Sequence, residues 1–159
     1  MSALTLAPLS RDAGEQVRHL DLRDEQSLFV APIDQMLAEP TQGVDFHVIR
    51  DTAAIVGFFK IDPPGISTFT WVAPDEIGLR GLLIGAQYQG RGHGRAFAAA
   101  LPAYLAACYT APRATLAVDE ANPVARRLYL AGGWQDSGER IDTRAGPAHI
   151  MRLDLAALR

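Results

Sequence analysis

The residues whose types and spacing can do chemistry cluster in the second half of the chain. Ile84-Gly85-Ala86-Gln87-Tyr88-Gln89-Gly90-Arg91-Gly92-His93-Gly94-Arg95-Ala96 lies between an apolar run and an Ala-rich one. Glycine lets backbone approach a ligand with no Cβ in the way. The first turn of a helix leaves N–H groups unpaired, and together with the helix dipole they hold a phosphate or pyrophosphate. Arg91 and Arg95 add charge at the rim of such a site. A Walker A loop would end in Gly-Lys-Ser/Thr, and none is present. A dinucleotide fingerprint needs Gly-x-Gly-x-x-Gly, whereas Gly90, Gly92 and Gly94 simply alternate. A glycine turn without a ligand stays open as the alternative at this point.

A second constellation follows in Val118-Asp119-Glu120-Ala121-Asn122-Pro123-Val124-Ala125-Arg126-Arg127-Leu128-Tyr129-Leu130-Ala131-Gly132-Gly133-Trp134. Asn122 is a good helix N-cap, and Pro123 suits the first helical position. Tyr129 lies about two helical turns beyond Asn122, so both face one side with the small Ala125 between them. A ligand along that face would touch all three; a buried core tyrosine is the alternative.

These residues need elements to position them. Residues 4–8 read as a strand, Asp12 to Leu20 as helical, and Ser27 to Ala38 as a second helical region interrupted near Pro32. Val44–Arg50 and Ala54–Ile61 read as a hairpin around Asp51-Thr52. Residues Ser67–Val72 fit either a short edge strand or a loop. Glu76–Ile84 is a strand, and a helix follows from about Gly92 to Tyr109, with Pro102 expected to bend it. Ala114–Val118 is a strand, Asn122–Ala131 a helix closed by Gly132-Gly133, and His149–Leu155 a last strand, paired with Ser137–Asp142. Strands alternating with helices in the second half give an α/β sheet, and the hairpin in the first half makes that sheet mixed.

Length and composition bound the function. The 159 residues suit one domain, taken as 1–159, large enough to bury a core without a metal or disulfide. The lone Cys108 sits in an apolar run and reads as a buried, inert thiol. Net charge is −3, and 14 of the 15 basic residues are arginine without any basic block, which argues against nucleic-acid binding. Met1-Ser2-Ala3-Leu4-Thr5-Leu6 lacks the pattern of a signal peptide, and no run reaches the ~20 apolar residues of a membrane span, so a cytoplasmic location with no membrane partner is expected. His19, His47 and His149 have no companions at ligand spacing, so no metal site is expected. None of this requires or excludes a homodimer.

The two constellations resemble the signatures of the GNAT N-acetyltransferases. Gln89-Gly90-Arg91-Gly92-His93-Gly94 is similar to that family's Gln/Arg-x-x-Gly-x-Gly/Ala, and the Asn122, Leu128-Tyr129 and Gly133-Trp134 spacing is similar to its second signature. The stretch Leu20–Val30 bears a fainter resemblance to bacterial members that acetylate spermidine and spermine. The resemblance covers about residues 76–134. It implies a GNAT fold, a mixed central sheet of about six or seven strands flanked by about four helices. It implies acetyl-CoA as cosubstrate: Gln89, Gly90, Arg91, Gly92, His93, Gly94 and Arg95 at the pyrophosphate, the Leu82, Leu83, Ile84 strand along the pantetheine arm, and Asn122, Ala125 and Tyr129 beside it.

An amine attacks only when neutral, and an alkylamine has a pKa of about 10.4, so a proton must be removed. The leaving thiolate must then gain one, which the resemblance assigns to the phenol of Tyr129. Backbone N–H groups at the end of the Leu82–Ile84 strand are placed to polarise the thioester carbonyl. Some family members carry a glutamate base eleven residues before the signature Gln; here that residue is Gly78, a departure. Glu76 lies on the same strand face and is the candidate base, through water, with Asp75 and Glu120 as weaker ones and a solvent-exposed glutamate as the alternative. His93 reads as a CoA contact or a packing residue, not the base. Phe58, Phe59, Phe69 and Trp71 are candidates for the acceptor pocket. The expected substrate is a small-molecule amine such as a polyamine; a protein N-terminus or lysine, or a silent acyl-CoA-binding module, are the alternatives.

Overall fold

Among the described residues seven strands form, six of them largely apolar or alternating and β6 a polar edge strand: β1 (Thr5–Leu9), β2 (Asp45–Arg50), β3 (Ile55–Asp62), β4 (Ile77–Ile84), β5 (Arg113–Asp119), β6 (Gln135–Thr143) and β7 (Gly146–Asp154). The computed structural model describes residues 4–159; Met1–Ala3, part of the reading of the N-terminus, lie outside the described residues. The strands form one sheet in the order β1-β2-β3-β4-β5-β7-β6. Every neighbouring pair is antiparallel except β4 and β5. The β2–β3 turn is built by Asp51, whose Oδ1 accepts the N–H groups of Ala53 and Ala54 at 2.8 Å each.

Among the described residues three α-helices flank the expected mixed sheet, α1 (Ile33–Leu37), α2 (His93–Cys108) and α3 (Pro123–Ala131). The expected helix over Asp12–Leu20 is only a 3-10 turn at Gly14–Val17, and the region from Ser27 is helical only in α1, after Pro32. Both segments are too short to be stable alone, and they are held by burying Val17, Leu20, Ile33 and Met36 against Phe46, Val48, Phe58 and Leu83 on one sheet face. Helices α2 and α3 cover the other face, where Phe97, Leu101, Leu105 and Tyr129 pack on Phe59, Ile61, Leu116 and Met151. Phe58 and Phe59 are wholly buried in these cores and line no acceptor pocket, because consecutive strand residues point to opposite faces. Residues 66–73 are loop.

Pro102 lies inside α2, where it cannot donate to the carbonyl of Ala98. Helix α3 ends against that spot: a Cβ on Gly132 would come 2.7 Å from Ala98 O. The two helices therefore meet backbone to backbone at the helix's one missing hydrogen bond. Cys108, expected to be buried, is exposed: it is the last residue of α2, where the helix runs out of the layer it covers.

Candidate active site

The site is made by a split in the sheet. Strand β4 follows β3 along most of its length, and β5 follows β7 from Arg113 to Asp119. The two halves touch only where Ile77 faces Ala114 and Gly78 faces Thr115. Beyond those pairs β4 and β5 diverge, and a cleft opens between them. The β4 edge of the cleft carries a bulge: Phe58 pairs with Leu83 but Lys60 pairs with Arg80, so β4 has one extra residue. Gly81 sits in it at φ 67°, a left-handed conformation that glycine adopts without strain.

At one end of the cleft a cavity of about 300 Å³ runs from the glycine turn along β4. It is lined by Leu82 and Ile84, by Gln89, Gly90, Gly92, His93 and Gly94, and by Asn122 and Ala125 across the gap. Gly90 and Gly92 take φ 77° and 84°, and a Cβ on either would meet nothing within 4 Å. The turn is thus a backbone concavity, not a packed bend, placed at the start of α2 where helical N–H groups are unpaired. Gln89 braces it, donating from Nε2 to Ile84 O at 2.9 Å and Gln26 Oε1 at 2.8 Å. His93 is buried; its Nδ1 lies 2.9 Å from Tyr88 O and its Nε2 3.5 Å from Asp51. Arg91 is exposed on the turn, and Arg95 borders a groove between α2 and α3.

Asn122 caps α3, its Oδ1 accepting the Ala125 N–H at 3.3 Å, with Pro123 at the first position. That start, at the end of β5, turns Asn122, Ala125 and Tyr129 toward one small cavity with Leu82 and Gly81 opposite. Tyr129 is 7% exposed and meets Trp134 edge-on at 5.7 Å. Burial alone raises its pKa above the usual range, so the hydroxyl stays protonated at neutral pH.

A third cavity of about 550 Å³ continues past the bulge between the Phe69–Trp71 loop and the β6–β7 turn. Phe69 and Trp71 stack there at 5.0 Å, and Arg80, Gly81 and Asp119 line both this cavity and the one holding Tyr129. Leu28 and Phe29 form its roof. They are pinned from two distant points: Gln89 holds Gln26, and Arg144 donates to the carbonyls of Ser27 and Leu28.

Two expected residues stand apart from this arrangement. Leu83 turns away from the cleft, into the core on the opposite face. Glu76 is 3% exposed, not solvated, and precedes β4 at the closed end of the split. Its carboxylate accepts from Arg113 Nε at 2.9 Å and Thr115 Oγ1 at 2.8 Å, and Arg152 lies at 3.7 Å. Burial raises its pKa, but Arg113, the Ala73 N–H, Thr115 and Arg152 more than offset that, leaving it lowered. An ionised, fully hydrogen-bonded carboxylate is an ion-pair anchor. Gly78 offers no substitute, since glycine carries no side chain to hold a proton.

Sequence reasoning missed Phe29, Arg80 and Asp119. Phe29 and Arg80 become site residues only through the tertiary pinning and the bulge. Asp119 had a local signal, as the last strand residue before a capped helix.

A family model described as the Acetyltransferase (GNAT) family matches residues 11–133. The chain belongs to the GNAT acetyltransferases. Similar solved structures of GNAT enzymes include aminoglycoside acetyltransferase AAC(6')-Ib in complex with coenzyme A and kanamycin, at 20% identity and TM-score 0.74, covering 98% of this chain and 97% of that one. The same enzyme with paromomycin and acetyl-CoA gives 18% identity and TM-score 0.77 over 98% and 96%. Spermidine N-acetyltransferase from Vibrio cholerae in complex with CoA and spermine gives 16% identity and TM-score 0.70 over 96% of each chain. No curated protein sequence matches the chain. These similarities confirm the mixed seven-stranded sheet as a GNAT fold. Among the described residues, no helix is long and apolar enough to cross a membrane.

Proposed function

We propose that this GNAT acetyltransferase, acting as one domain over residues 1–159, moves the acetyl group of acetyl-CoA onto a primary amine of a small molecule. The observation that carries the reading is the continuity of the three cavities, from an anion-binding turn, past a protonated phenol, to an aromatic-walled pocket. The residues fit such a cosubstrate, because Gly90 and Gly92 present bare, left-handed main chain to the cavity at the start of α2. Backbone N–H groups at the start of α2 grip the diphosphate, and β4 and α3 guide the chain that carries the thioester between them. When bound, acetyl-CoA supplies an acyl group activated by its thioester.

The remaining chemistry belongs to the protein. The bulge at Gly81 takes one residue of β4 out of ladder pairing, leaving main-chain N–H free to face negative charge developing on the acyl oxygen. Tyr129 donates its hydroxyl proton to the departing sulfur. Glu76 serves the fold in this scheme, not the proton transfer.

A small amine suits the pocket better than a protein chain. Arg144 ties the β6–β7 turn to residues 27 and 28 across the acceptor cavity, closing the side along which a polypeptide would leave. The aminoglycoside and spermine complexes of structural neighbours support an amine acceptor. The test is calorimetry with acetyl-CoA followed by thiol-release assays with spermine, kanamycin and a lysine-containing peptide. Micromolar uptake of acetyl-CoA and turnover with a small amine are expected; folded protein that takes up no acetyl-CoA refutes the reading.

A further inference from the structure

We propose that Asp119 is the residue that receives the acceptor: its carboxylate holds the incoming ammonium and takes the first proton from it. This rests on the reading of the cleft as an acetyl-transfer site. Two observations carry it, position and charge.

Asp119 ends β5 where the sheet has split, and its side chain borders both the cavity of Tyr129 and the acceptor cavity. An amine lodged there lies between the two compartments it must connect. Arg80 is the other charged residue at that junction, and it is already neutralised. Its Nε lies 3.1 and 3.0 Å from the two carboxylate oxygens of Asp62, and its NH2 lies 2.7 Å from Glu39.

Two more charged groups line the acceptor cavity. Arg144 directs its guanidinium to backbone carbonyls, and Asp142 is exposed at the outer side. Asp119 differs from the two arginines in sign and from Asp142 in being half-buried and held in place. One oxygen accepts the Thr143 hydroxyl, and the carboxylate enters no ion pair among the described residues. A carboxylate fixed by one neutral donor and facing a cavity lacks one thing, a cation. The other acids of the region cannot fill the role, because Glu76 and Asp62 are clasped by arginines. The stacked Phe69–Trp71 pair on the same cavity gives the carbon body of the amine an apolar wall. The ligand class is therefore a primary ammonium on an apolar or ring-bearing body.

Asp119 takes one proton from the ammonium and passes it to solvent. The freed lone pair forms the C–N bond as the C–S bond breaks. Tyr129 gives its proton to the sulfur and is restored by the second proton that nitrogen sheds on becoming an amide.

The experiment compares wild type with Asp119→Asn, which keeps the Thr143 contact, and Asp119→Glu, which keeps the charge. Spermine and kanamycin are titrated calorimetrically into the coenzyme A-saturated protein, and initial rates are measured with acetyl-CoA. In Asp119→Asn, affinity for the amine falls about tenfold or more and kcat/KM falls at least about a hundredfold. Its acetyl-CoA affinity and melting temperature stay unchanged. Asp119→Glu recovers part of both losses. Amine affinity and kcat/KM unchanged in Asp119→Asn would overturn the proposal. So would wild-type protein that binds coenzyme A but neither amine. Wild-type protein that binds no acetyl-CoA at all overturns the function reading, and is recognised before any amine is added.

Discussion

Lowering the pH should loosen the fold through one buried histidine. His47 on β2 is 2% exposed and lies flat against Phe59, with ring centroids 4.9 Å apart. Its Nε2 is 2.9 Å from the Tyr109 hydroxyl, which in turn donates to Asp45 at 2.7 Å. Since the Tyr109 proton points to Asp45, Nε2 must donate to Tyr109, and Nδ1 is left to accept from Tyr104, 2.6 Å away. The network is complete with a neutral ring. Burial, only partly opposed by Asp45, lowers its pKa from 6.5 to about 4. The unfolded chain therefore takes up this proton first, and stability present above pH 6.5 is lost as the pH falls toward 4. A gap of about 2.5 units is worth about 3 kcal/mol in full, and about 2 kcal/mol of that is gone by pH 5. For a chain of this size that is a drop of about 4–8 °C in melting temperature. Urea unfolding at pH 7 and pH 5, at constant ionic strength, measures it as the difference between wild type and His47→Gln. The variant is weaker at pH 7 because it loses the stacking, but it lacks this pH-dependent share. A difference that does not change between pH 7 and pH 5, or a native-state NMR titration of His47 near 6.5, refutes the reasoning.

Other substitutions separate the roles assigned above. Tyr129→Phe should lower kcat about a hundredfold or more with little change in acetyl-CoA affinity, measured by thiol release and calorimetry. Glu76→Gln should cost about 1–3 kcal/mol in urea melts by weakening the Arg113 and Arg152 pairing, while kcat per folded molecule holds; a kcat loss with unchanged stability would return Glu76 to the chemistry. Gly132→Ala should destabilise by about 1–3 kcal/mol, because its Cβ meets a backbone carbonyl at 2.7 Å that cannot yield as a side chain would. An unchanged urea midpoint would mean that α2 and α3 can slide apart freely.

What the sequence made legible was local. The glycine turn, the Asn122 cap with Pro123, and the placement of Asn122, Ala125 and Tyr129 on one face follow from spacing within two helical turns, and each is present. The strands were legible for the same reason, since alternation and turn residues are short-range signals. The misreadings lie where a distant partner decides. Glu76 looked solvated because its two arginines and Thr115 come from β5 and β7, 37 or more residues away. The first 40 residues looked more helical than they are, because their positions are set by the sheet face they cover rather than by their own pattern.

The split itself has a cause that no single segment carries. Strand β4 is claimed by β3 and β5 by β7, each through a long antiparallel ladder, and only two parallel pairs join the halves. Antiparallel pairing is slightly more stable per residue than parallel pairing, so where the twists of the halves diverge the β4–β5 seam is the one to open. The polar groups exposed along that opening must then find partners. Part of the need is met by the protein, through the Asn122 cap and the Gln89 bond to Ile84 O. The remainder, the N–H groups of the first turn of α2, is left for whatever enters the cleft. A seam that opens for reasons of sheet pairing thus becomes a binding groove lined with unsatisfied main chain. The side chains to which the proposed chemistry is assigned, Tyr129 and Asp119, are those that end up beside the opening on the β5 side.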